Sequence, residues 1–398
     1  MKQPSKPHVS SFYASILIYV AFIFTTQWSL AAAKSGSMWL HDMLSGIVVF
    51  LLLPIIVSLL IHSIAMNFSY YYKRKWFTIV FICTLLIIAS ASKSLSLTIP
   101  LLMGFAGFAA NNRKIAKAAL ISFSMFLILS YILSVAGLNG GDTVSKPLFG
   151  TDRTETMDVT AIGMANPNAV MLIVFNITSL ALILCKTKKQ DVVSTALLLV
   201  LVISLSFATG STTGIIIGIA AIASILYAKN TKKGNRLISS LAPWMFTIIT
   251  AATFIISIGF GSTGGNEGGI NDMLTGRPEL WNMRIENGSY INIYGNNDQY
   301  QVNRPAGSNQ ATQALDNTPL YILVYLGIIV YLLFWYIFYN GARGIKEPAI
   351  LAYVIVATIL MFTEKMELYG IVLLFLQKSI TESKLMRGQQ VSGGDKYA

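Results

Sequence analysis

Charge is scarce in this chain. Only 12% of its residues are Asp, Glu, Lys or Arg, about half the 25% of an ordinary soluble domain. Cysteine is scarcer still: Cys83 and Cys185 are the two present. Both sit inside apolar runs and neither belongs to a Cys-x-x-Cys or Cys/His cluster. That spacing argues against a disulfide framework or a zinc site, and both are expected as small core hydrophobes. Histidine is limited to His8, His41 and His62. What is present instead is apolar sequence: 54% of the 398 residues are hydrophobic and the mean hydropathy is +0.63. Long uncharged runs of this kind put the chain in the membrane class. A β-barrel would need alternating strands of about ten residues, and these runs are continuous.

A bilayer crossing needs roughly 20 mainly apolar residues, with about 17–25 the usual range. Such runs stand at about 12–33, 43–66, 76–92, 95–110, 118–138, 168–185, 192–208, 211–228, 238–260, 319–339, 349–363 and 367–380. The third and fourth, the seventh and eighth, and the last two are short and close together, which reads as tight helical hairpins. The expected fold is an all-α polytopic membrane protein of about twelve helices, a single integral-membrane domain over 1–398. Ala31-Ala32-Ala33 has the look of a signal-peptidase site. The run before it is long for a signal peptide, and many more follow, so it is read as a span.

Lysine and arginine set the expected orientation. Clusters at Lys73-Arg74-Lys75, Arg113-Lys114 with Lys117, Lys186 with Lys188-Lys189, Lys229 with Lys232-Lys233 and Arg236, and Arg343 with Lys346 fall at every second connection. With the two ends of the chain, that side holds 21 of the 29 basic and 4 of the 17 acidic residues, net +17. The other side holds 8 and 13, net −5. The overall +12 is therefore a topology signal that places both termini in the cytoplasm, not a nucleic-acid footprint.

Two connections on the opposite, external side are long: about 139–167, and about 261–318 between helices 9 and 10. Long irregular connections are usually functional or disordered. The second is rich in Gly, Asn and Gln and carries Trp281, Tyr290, Tyr294 and Tyr300. Aromatic rings stack on sugar faces and amides pair with hydroxyls, so a carbohydrate-facing surface is one reading. An interfacial aromatic belt on a plain loop is the other. The external arginines all fall in these loops: Arg153, then Arg277, Arg284 and Arg304. Guanidinium is the preferred bidentate partner of phosphate oxygens. Thr275 as N-cap and Pro278 in a first turn predict a helix with Arg277, Trp281 and Arg284 on one face. Such a face suits a lipid-linked phosphate, and it would equally anchor to ordinary headgroups.

Smaller polar signals flank the spans. Gly163-Met164-Ala165-Asn166-Pro167-Asn168 is a turn leading into a helix that Asn168 could cap. Thr209-Gly210-Ser211-Thr212-Thr213-Gly214, between the seventh and eighth spans, suits close helix packing or phosphate binding at a helix N-terminus. Asp316-Asn317-Thr318-Pro319 precedes the tenth span, and its carboxylate is either an N-cap or a general base. Glu364, Lys365 and Glu367 form a last polar cluster, and ionisable groups at a membrane edge are functional candidates by default.

Taken in order, these motifs resemble the O-antigen and capsular polysaccharide polymerases of the Wzy type and the related O-antigen ligases. The series is an arginine, Gly-x-x-Asn-Pro-Asn, a Gly-Ser turn, Thr-Gly-Arg-x-x-x-Trp in a long external loop, and Asp-Asn before a Leu-Gly-Ile span. The resemblance covers roughly residues 150–335. The ligase branch carries His-Asn where this chain has Asp316-Asn317, a departure that tilts the reading towards polymerase.

The resemblance implies glycosyl transfer on the external face of a bacterial inner membrane. The donor is a glycan on undecaprenyl diphosphate, and the acceptor is a hydroxyl of a lipid-linked repeat unit. Asp316 is then the expected base, with Arg277, Arg284 and Arg153 clamping the diphosphate. Arg304, Trp281, Tyr290, Tyr294, Asn166, Asn168 and Asn317 are the further expected substrate-binding residues. No Asp-x-Asp or clustered His/Asp/Glu set appears in these loops, so neither metal nor cofactor is expected. Membrane lipids and a chain-length regulator are the implied partners. A flippase for the same lipid-linked glycans is the alternative, although transporters usually place polar residues at the midplane and show internal repeats.

Overall fold

A computed structural model describes residues 9–68, 71, 81, 84, 95–137, 143–147, 156–164, 166–261, 277–286, 291, 293, 317–362 and 370–394. Helices α1 (Ser10–Lys34) and α2 (Met38–Met66) are followed by a short α3 (Leu95–Ala106) and by α4 (Asn112–Val135). Next come α5 (Pro167–Leu184), α6 (Lys188–Thr209) and α7 (Thr212–Asn230). Helix α8 (Lys232–Leu241) passes through one 3-10 turn at Ala242–Trp244 into α9 (Met245–Gly261). The remainder is α10 (Arg277–Glu286), α11 (Thr318–Gly344), α12 (Pro348–Leu360) and α13 (Gly370–Gly394).

The chain is a polytopic α-helical membrane protein by this architecture. Among the described residues, eight helices are long and apolar enough to cross a bilayer, with α8 and α9 counted as one. Helix also covers the shorter apolar runs at α3 and α12. The predicted third run, 76–92, lies almost wholly outside the described residues.

Several boundaries differ from the sequence expectation, each for a local reason. Helix α6 starts at Lys188 because Thr187 and Gln190 form a reciprocal capping box. Helices α6 and α7 are 22 and 19 residues long, longer than expected, and Gly210-Ser211 joins them as the expected tight hairpin. The last helix runs on to Gly394, far past the apolar part of its sequence. The first long connection is not purely irregular either. It holds an antiparallel pair, β1 (Thr143–Pro147) and β2 (Thr156–Thr160), with Thr143 opposite Thr160. Alternating Thr, Val and Met positions permit this, but no hydrophobic run announces it.

Helices α1, α5 and α12 form the interior, while α2, α4 and α6 form the periphery. Across their apolar windows, α1 and α5 are 72% and 83% buried, against 17% for α2 and 22% for α4 and α6. Hydropathy cannot make that distinction, because lipid is as apolar as a protein core; small and polar residues mark the interior instead. In α5, the Asn176 amide donates to the Leu172 carbonyl at 2.7 Å, and its oxygen accepts from the Tyr353 hydroxyl of α12. Gly104 of α3 sits against α13 so closely that a Cβ there would lie 2.8 Å from the Leu374 carbonyl oxygen. On the periphery, Phe50, Phe207 and Ile255 are exposed, forming an apolar surface suited to acyl chains.

Candidate functional site

The two ends of the bundle differ in chemistry. Helices α4, α6, α8 and α12 begin at one end, together with the basic clusters around Arg113, Lys186, Lys229 and Lys232. Helices α5, α7 and α11 begin at the other end, and the motifs singled out from the sequence collect there. Their meeting point is the C-terminal turn of α12, Leu360 to Phe362.

Asn317 reaches this turn from the mouth of α11. It is fully buried, and its side-chain oxygen caps the helix by accepting from Leu320 N at 3.0 Å. Its amide donates to the Phe362 carbonyl at 2.9 Å and to the Thr253 hydroxyl of α9 at 3.0 Å. The next residue continues the tie, Thr318 N donating to the Met361 carbonyl at 2.8 Å. Through these bonds Asn317 holds α9, α11 and α12 in register.

Helix α10 arrives from the second long connection and lies along α9. It begins at Arg277 with Pro278 in its first turn, as the Pro278 signal anticipated; the expected Thr275 cap lies outside the described residues. Trp281 does not stay with Arg277 on an open face. Only 1% of it is exposed, and its ring meets Phe362 edge-on at 5.0 Å. A large aromatic surface is stabilised more by burial against a neighbouring ring than by contact with water. Asn282 beside it is also buried, and Arg277 is half-buried.

The third contribution comes from the start of α5. Asn166, not Asn168, is the cap: its side-chain oxygen accepts from Asn168 N at 2.9 Å, and Pro167 takes the first helical position. The turn before it is strained. Ile162 has φ +50° and Gly163 has φ +70°, and a β-branched residue in that region costs on the order of 1–3 kcal/mol. The strain is held by a relay in which the Trp28 indole donates to Ser130 and Ser130 donates to the Ile162 carbonyl.

Asn168, Ser211, Thr213 and Leu360 surround a void of about 10 Å³, room for about one water. Ser211 caps α7 by accepting from Gly214 N at 3.2 Å. A Cβ at Gly214 would lie 2.6 Å from Met171. Helix packing, more than ligand binding, therefore accounts for the small residues of this turn.

Arg284 lies in α10, but its side chain is outside the described residues. So are Arg153, Arg304, Tyr290, Tyr294, Tyr300 and Asp316 entirely, and with them Glu364, Lys365 and Glu367. Two members of the cluster carried no sequence signal. Phe362 looked like any apolar residue near a span end, and Thr253 like an isolated hydroxyl within one. Cys185, expected in a core, instead ends α5 at the basic end of the bundle and is only partly buried. Among the described residues, no group of three His, Cys, Asp or Glu side chains comes together. No family model, curated protein or solved structure matches this chain.

Proposed function

We propose that this protein polymerises undecaprenyl-diphosphate-linked oligosaccharide repeat units on the external face of a bacterial inner membrane. One observation carries the reading: four separate polar motifs converge on Leu360–Phe362, at the end of the bundle opposite the basic connections. Those motifs are the Asn166–Asn168 turn, the Ser211–Gly214 turn, the Arg277–Trp281 helix and Asn317. In this reading the chain crosses the membrane twelve times with both termini in the cytoplasm, and the basic end faces inward.

The chemistry needs an acceptor hydroxyl made nucleophilic and a diphosphate able to leave. Asp316 takes the proton as the hydroxyl oxygen attacks the donor's anomeric carbon. The bond from that carbon to the diphosphate oxygen breaks, and its electron pair leaves with the diphosphate. Arg277, Arg284 and Arg153 neutralise the charge that develops there; removing one such donor typically lowers rate about a hundred- to a thousandfold. Asp316 directly precedes the buried Asn317 in the sequence. Trp281, buried against Phe362, serves here as the anchor of α10, and sugar contacts fall to Tyr290, Tyr294 and the amides.

The test is complementation in a strain deleted for the gene, comparing wild type with Arg277→Ala and Asp316→Ala at matched membrane levels. Wild type should give a ladder of surface glycan, and both variants single repeat units. Normal ladders from both variants would remove the site assignment. If the deletion strain keeps polymer on the lipid carrier but transfers none, the protein is a ligase. Lipid-linked units accumulating on the cytoplasmic face would make it a flippase.

A further inference from the structure

The basic end carries something the glycosyl-transfer reading does not use. Helices α4, α5, α7, α8 and α12 meet there around a pocket of about 390 Å³, within the roughly 300–1,000 Å³ typical of small-ligand sites. Its charged walls are Arg113, Lys186, Lys229, Lys232 and Glu347.

One of these cations is already spent. Lys229 lies 2.5 Å from Asp191 and also donates to the Leu182 and Cys185 carbonyls at 2.8 and 3.0 Å. It therefore ties off the C-terminus of α5. The other three are not. Among the described residues, the guanidinium of Arg113 and the ammonium groups of Lys186 and Lys232 have no acid or hydrogen-bond partner. Glu347 does not pair with them; it accepts from the Asn112 amide at 3.2 Å, joining the walls made by α4 and α12. The pocket thus presents three uncompensated cations against one carboxylate. The N-termini of α4, α8 and α12 open towards the same end, and their dipoles add positive potential.

We propose that this pocket binds a phosphate group. A phosphate carries up to two negative charges, which the excess of cations matches, and it offers Arg113 two oxygens for a bidentate contact. Two sources supply that chemistry: the headgroup of an anionic phospholipid in the surrounding leaflet, or a free phosphate compound. Basic pockets between membrane helices commonly hold lipid phosphates. A surface of loosely solvated lysines is a different arrangement, because it makes no distinction between cations inside and outside the pocket. Lys233 supplies that comparison: like Arg113, Lys186 and Lys232 it is exposed at this end, but it does not line the cavity.

The experiment uses the full chain, purified from membranes as wild type, as the double variant Arg113→Gln/Lys232→Gln, and as Lys233→Gln. Helix content by circular dichroism checks that each is folded. Each is exchanged into mixed micelles of phosphatidylglycerol and phosphatidylcholine in equal amounts, and lipids that stay bound are counted by native mass spectrometry. In parallel, inorganic phosphate binding to lipid-stripped protein is measured by equilibrium dialysis. Wild type and Lys233→Gln should retain phosphatidylglycerol over phosphatidylcholine by on the order of tenfold, and the double variant should lose that preference. If wild type instead binds inorganic phosphate and the double variant does not, the site takes a free phosphate compound. The proposal is overturned if wild type shows neither preference, if the double variant keeps what wild type shows, or if Lys233→Gln loses as much as the double variant.

Discussion

Replacing Asn317 should loosen the polar end of the bundle by an amount the structure allows to be worked out. Asn317→Ala removes a helix cap, at about 1 kcal/mol. It also removes the donor to the partly buried Phe362 carbonyl, and an unsatisfied buried acceptor costs about 1–3 kcal/mol. The Thr253 hydroxyl suffers less, since it still donates to the Ile249 carbonyl at 2.9 Å. The expected loss is about 2–4 kcal/mol, dominated by the cross-link and not by the cap. Asn317→Asp separates the two terms. Aspartate caps as well as asparagine, but it has no amide to donate and brings a charge to a site with no solvent exposure. It should therefore destabilise at least as much as alanine. The assay is thermal unfolding of purified protein in detergent, followed by tryptophan fluorescence. If Asn317→Asp unfolds with wild type while Asn317→Ala does not, the residue is a cap and the cross-link argument fails.

Two further outcomes follow from the basic end. Lys229→Ala leaves Asp191, itself only 7% exposed, without its partner; breaking a buried pair costs about 3–5 kcal/mol, and the partial exposure of Lys229 argues for the lower end. Adding Asp191→Asn should recover most of that loss in the same melting assay, and no recovery would mean that the carbonyl contacts of Lys229 matter more than the ion pair. In a Cys83→Ser background, Cys185 should react with a membrane-impermeant maleimide in inverted vesicles and stay unlabelled in right-side-out ones. The reverse pattern would turn the orientation over.

Much of the architecture was legible in the residue order. Among the described residues the apolar runs predicted helices in the right places, the basic clusters around Arg113, Lys186, Lys229 and Lys232 gathered at one end, and Pro278 marked the start of α10. Local polar chemistry was harder to weigh. The capping box at Thr187 and Gln190 lengthened α6 by a turn that hydropathy alone left out, and the β1–β2 pair lay in a stretch with no strong period. Trp281 was the clearest divergence, since helical spacing put it beside Arg277 but could not say which side of α10 would face the bundle.

The amino-acid sequence by itself determined that this is a membrane protein, where most of its helices run and which of its ends is basic. Those properties depend on the composition of contiguous segments, and transfer from water to lipid acts on each segment separately. Only the tertiary structure decided which helices are interior and which residues share a site. Lipid and protein core are equally apolar, so hydropathy is silent on the difference. The deciding contacts join positions far apart in the chain, Asn317 to Thr253 across 64 residues and Tyr353 to Asn176 across 177. Buried polar groups with no water to turn to must find each other, and in doing so they select one packing of otherwise interchangeable helices.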